Sequence, residues 1–195
     1  MNSDVKNEFQ MKQFLSFVFK FLLFFFLFYY GTEAVIALSA KEGQYSKFVA
    51  DYLDYVSMIK RSLIWGTRLL LSFFDIDTYQ LDPFIVRIKD GVGVRIAHGC
   101  VGYGVYSFWL AYVLANSWTV KLKVKLVIIG LFILWLINVF RISLLLQTMQ
   151  HNQSMPLGLD HHTWFNIISY GLILLFLFLS ENRIVQRDKS ESSMK

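Results

Sequence analysis

The sequence has a single cysteine, Cys100, among 195 residues. One thiol excludes an internal disulfide and the CxxC pair of a thiol oxidoreductase. No GxSG serine element fits the topology derived below, and no apolar run carries paired aspartates. Serine and intramembrane aspartyl proteases are therefore poor readings. The chain also lacks internal repeats, low-complexity stretches and a linker, so residues 1–195 read as one membrane domain. With only two prolines, its apolar blocks run uninterrupted.

What is present is apolar and aromatic. Hydrophobic residues make up 55% of the chain, and nineteen are phenylalanine. A soluble domain of this size buries a core with far less, and each apolar block is long enough to cross a bilayer. The fold class expected is an all-α polytopic membrane protein. The net charge of +5 would suggest nucleic acid in a soluble chain. Here the basic residues flank hydrophobic runs, so the expected partner is the lipid bilayer and not nucleic acid.

Residues 1–13 read as a cytoplasmic tail. Phe14 to about Leu38 reads as a spanning helix, with Lys20 early enough to snorkel to the interface. This run is too long and aromatic for a cleaved signal. Around Tyr45 to Lys60, apolar residues recur at helical spacing among Lys47, Asp51 and Asp54. Leu63 to Phe74 is short and contains Arg68, which suits an interfacial helix better than a span. From Phe84 to Ala97 the pattern alternates about Asp90-Gly91, predicting a small β-hairpin outside the bilayer.

Three further spans are expected, over Val101 to about Trp118, Leu126 to Thr148 and Thr163 to Ser180. A turn bearing Lys121, Lys123 and Lys125 joins the first two. Met149 to His162 has no lysine or arginine, whereas the tail 181–195 is basic. The positive-inside rule then puts both termini and the lysine turn in the cytoplasm. Residues 39–99 form an insertion on the outer side, giving about four transmembrane helices. The protein is expected in the inner (cytoplasmic) membrane.

This topology brings three chemically distinct groups to the outer face. Cys100 opens its helix near exposed N–H groups, which favour a thiolate. Gly99, Gly102 and Gly104 surround it, and Cys100, Gly104, Ser107 and Ala111 form a stripe suited to close packing. Arg141 lies about 15 residues, or about 23 Å, past the inner end of its span. A guanidinium there faces a partner or a water-filled cavity. Asn138 and Thr148 continue its polar side. His161 and His162 open the last span. His162 shares its helical face with Asn166 and Ser169, whereas His161 shares its face with Phe165 and Ile168. The facing argument selects His162. A zinc site of His98, Cys100, His161 and His162 is disfavoured, because adjacent histidines diverge on a helix, and no cofactor is expected.

Cys100 followed by Gly102, then Asn138-Val-Phe-Arg141-Ile142, then His161-His162 before an apolar helix, resemble the exosortase/archaeosortase family. The resemblance spans about residues 84–180 and is closest to the short exosortase-like proteins of the Bacteroidetes type. The chain departs from the family in carrying His98-Gly99 ahead of the cysteine. The resemblance implies a membrane cysteine transpeptidase that cleaves a C-terminal sorting signal (motif, transmembrane helix, basic tail) of an exported protein. The product passes to an unknown acceptor. It assigns Cys100 as nucleophile, Arg141 as positive partner and His162 or His161 as third member. The alternative is a non-catalytic assembly or transport component in which Arg141 binds an anionic lipid or solute.

Overall fold

The computed structural model describes residues 3–40 and 44–150, together with Ile167, Gly171 and Leu175. The expected span over 163–180 otherwise lies outside the described residues, as do His161 and His162.

Helix α1 (Ser3–Ser39) begins well inside the expected polar tail, because residues 3–13 continue the helix of the apolar run. Its stretch Gln10–Ser39 is 30 residues of high mean hydropathy, about 45 Å long. Helix α6 (Val120–Gln150) is comparable, with 31 residues. Both are long and apolar enough to cross the roughly 30 Å hydrocarbon layer. The Lys121–Lys125 segment is therefore helix and not a turn. There Lys123 Nζ donates to Leu114 O at 2.9 Å, closing the end of the preceding helix.

Residues 101–118 do not form one helix. A one-turn α4 (His98–Val101) ends at Gly102, and α5 (Tyr103–Ala115) begins there. At 13 residues, α5 is about 20 Å long, short of the hydrocarbon thickness. The expectation of four spans thus meets two helices of sufficient length among the described residues. Gly102 has φ +74, a left-handed conformation that a Cβ penalises. The stripe from Cys100 to Ala111 is broken at this point, although Ser107 and Ala111 are buried as expected.

Between α1 and α4 lie α2 (Lys47–Tyr52), α3 (Tyr55–Ser72) and a three-stranded antiparallel sheet. The short apolar run at 63–74 is the second half of α3, whose N-terminus Asp54 caps by accepting from Ser57 N at 3.0 Å. The expected hairpin is present as β2 (Ile85–Ile88) and β3 (Gly93–Arg95), with Val86 opposite Val94. The turn places Asp90 at φ 58. An unanticipated strand, β1 (Thr78–Asp82), pairs with β2. It was hidden because its exposed residues do not alternate cleanly.

One core joins these parts. Leu63, Ile64 and Leu71 of α3 meet Val86, Ile88 and Val94 of the sheet, with Val139, Ile142 and Leu146 of α6. Leu63 is fully buried, so truncation to alanine costs about 2–5 kcal/mol. A Cβ on Gly66 would stand 2.7 Å from Trp135 and Val139 side-chain atoms, so glycine lets α3 and α6 approach. Trp135 Nε1 donates to Ser62 Oγ at 3.1 Å across the same seam. Helix α1 packs on α5 through rings, Phe21 with Phe108 and Tyr29 with Tyr103.

Candidate functional site

Cys100 sits on α4, half-buried, and packs against the core formed by α3, the sheet and α6. Its backbone N–H donates to Ala97 O at 3.1 Å. The segment is held from the other side by Asn138 of α6, whose Nδ2 donates to Val101 O at 2.7 Å. Asn138 is buried, and the left-handed turn at Gly102 lies against the same amide, 3.2 Å from where a Cβ would stand. A side chain at 102 would push on the group that fastens Val101.

Arg141 is partly exposed, three residues past Asn138 and so about 4.5 Å further along α6 on a neighbouring face. Among the described residues it makes no ion pair or hydrogen bond. Thr148 does not extend a polar stripe, since its hydroxyl turns back onto Leu144 O and Leu145 O of its own helix. Asn138 thus meets the Cys100 turn, and Arg141 follows it on the same helix. His161 and His162, and with them half of the zinc alternative, fall outside the described residues.

Lys60 is the residue that sequence reasoning missed. It is only 4% exposed, with its ammonium 4.8 Å from the centre of the Phe84 ring. Burial pushes its pKa below the ordinary 10.5, against the raising pull of Asp54 and of Cys100. A signal was available: Lys60 stands four residues after Val56 and four before Ile64, on the buried stripe of α3. A lysine at core spacing is either misplaced or used.

His98, two residues before the thiol, is held below its ordinary 6.5. Lost solvation is the main cause and Lys60 the second, while Asp54 and Glu33 act in the opposite direction. Lys60 and His98 line one cleft of about 390 Å³, with Asp54, Ser57, Arg95 and Ser39. It opens between the end of α1, the start of α3 and the sheet. Glu33 of α1 accepts a hydrogen bond from the Tyr103 hydroxyl and so ties α1 to the start of α5.

The arrangement offers a thiol on a short, doubly anchored turn, a buried ammonium in electrostatic reach and a guanidinium on an adjoining helix. These are the components of nucleophilic chemistry assisted by fixed positive charge. No protein-family model matches the chain, and no curated protein or solved structure does either.

Proposed function

We propose that the chain is a membrane-embedded cysteine transpeptidase of exosortase type, acting on the C-terminal sorting signal of exported proteins. The observation that carries this reading is the 2.7 Å hydrogen bond from Asn138 to the carbonyl of Val101. It joins the Asn138-x-x-Arg141 element to the Cys100-x-Gly102 element, the two stretches on which the family resemblance mainly rests. In this reading both ends of the chain face the cytoplasm, four helices cross the inner membrane, and the thiol works at its outer face.

The Cys100 thiolate attacks the scissile carbonyl carbon, and the carbonyl electrons move to oxygen. Arg141 stabilises the thiolate and this oxyanion. The C–N bond breaks as His162 (or His161) gives a proton to the departing amine, leaving a thioester. An amine or water then attacks the thioester, the histidine takes its proton, and the C–S bond breaks to release the thiolate.

The test is processing of an exported protein from the same organism that ends in a motif, an apolar helix and a basic tail. Intact-mass analysis should reveal loss of that tail with the wild-type chain and its retention with Cys100→Ala, at equal membrane insertion. Equal trimming by the alanine variant would sink the proposal. The second reading, a non-catalytic component using Arg141 to hold an anionic lipid or solute, draws on the absence of any partner for Arg141 among the described residues.

A further inference from the structure

The cleft at the end of α1 holds polar groups to which the steps proposed above give no role. Two of its polar groups have no hydrogen-bond or ion-pair partner among the described residues. The Lys60 side chain is 96% removed from solvent, has no carboxylate within ion-pair distance and makes no hydrogen bond. Ser39 Oγ is likewise buried with nothing to bond. A buried ammonium over an aromatic ring is only partly compensated, and an unpaired hydroxyl adds to the deficit. Both groups line the same space of about 390 Å³.

The described residues that line this space carry two cations, Lys60 and Arg95, against one carboxylate, Asp54. Arg95 is a second cation, with Asp82 at 3.8 Å on the far side. Among the described residues Asp54 is the one carboxylate in the lining, and one of its oxygens is engaged by Ser57 N. His98 resists protonation. An anion with two or more acceptor oxygens offers an acceptor to each of these two groups.

The position of the cleft selects the source of that anion. Ser39 is the last residue of the 30-residue apolar stretch of α1. The cleft therefore opens where the hydrocarbon ends and headgroups begin, if α1 crosses the bilayer. The adjoining segment exposes Tyr45, Phe48, Tyr52 and Tyr55, the residue types that settle at that level. We propose that the cleft is a phospholipid headgroup site, in which the Lys60 ammonium and the Ser39 hydroxyl hold the lipid phosphate. The site rests on α1 as a span and not on the transpeptidase reading.

The full chain, purified in dodecyl maltoside micelles, is titrated with dioctanoyl phosphatidylglycerol and binding is read by calorimetry. Dioctanoylglycerol, which lacks the phosphate, and inorganic phosphate, which lacks the chains, should each bind at least tenfold more weakly. Lys60→Met should weaken lipid binding at least tenfold and Lys60→Arg should restore most of it. Arg68→Gln, on the exposed side of α3, should leave it unchanged. Ser39→Ala should weaken it several-fold, and keeps the test open should the methionine variant fail to fold. Binding by the Ser39 and Lys60 variants as tight as wild type overturns the proposal. So does inorganic phosphate matching the lipid, which makes this a soluble-anion site, or equal loss in Arg68→Gln, which reduces it to bulk charge.

Discussion

The side-chain amide of Asn138 and the carbonyl of Val101 are 2.7 Å apart, a buried hydrogen bond across 37 positions of sequence. A buried acceptor that loses its only donor retains its full desolvation penalty, about 1–3 kcal/mol. Asn138→Ala should therefore destabilise the chain by that amount, measured by denaturation in detergent. It should also loosen the α4 turn, so that Cys100 reacts faster with a bulky maleimide. Unchanged stability and labelling would mean that Val101 finds another donor and that α6 does not anchor the thiol.

Arg141→Lys tests whether the charge on α6 works by geometry. Lysine retains the charge and loses the planar fork that holds an anion in one orientation. Processing should fall at least tenfold while insertion is normal. Near-normal processing would make Arg141 a bulk charge or an anchor.

The pH dependence of stability should single out Lys60. Its folded pKa lies below 10.5, so between the folded value and 10.5 the unfolded chain binds the proton more readily. Stability therefore rises with pH across that window and levels off above it. Lys60→Met should abolish the rise, and at pH 7 it should be at least as stable as wild type, since no ammonium is then buried. A methionine variant with the same alkaline rise would assign the effect to another group.

His162→Ala should stop processing, whereas His161→Ala should only weaken it. The reason is the sequence pattern: Asn166 and Ser169 continue the side of His162, and Phe165 and Ile168 that of His161. Mass analysis of the substrate separates the two variants. Should the alanine at 161 be the inactive one, the helical-face argument fails at this end of the chain.

Sidedness is the last prediction. A membrane-impermeant maleimide added from outside should label Cys100, and should not label a cysteine placed at Lys123 in a Cys100→Ser background. Labelling of both from the same side would remove the four-span topology, and the outer-face site with it.

Long-period features were legible in the sequence. The apolar lengths of α1 and α6 and the alternation about Asp90-Gly91 follow from local pattern, and the structure carries all three. Features set by tertiary context were not. Gly102 looks like any small residue in an apolar run until Asn138 is seen pressing on it from α6. Lys121 to Lys125 look like a turn because charge ends many spans, yet lysine is a good helix former and Lys123 finds a carbonyl on the neighbouring helix. Lys60 was visible as a charge and overlooked as a core position. Strand β1 depends on β2 for its pairing, and its own residues give no period to detect.

The left-handed residue at 102 has one more consequence. Because the chain reverses its local handedness there, the four residues that carry the thiol are not the first turn of α5. The α4 turn is instead bonded to α6 through Val101 and packed against the core that α3 and α6 share. The thiol is thus placed by the helices that enclose it and not by the axis of α5.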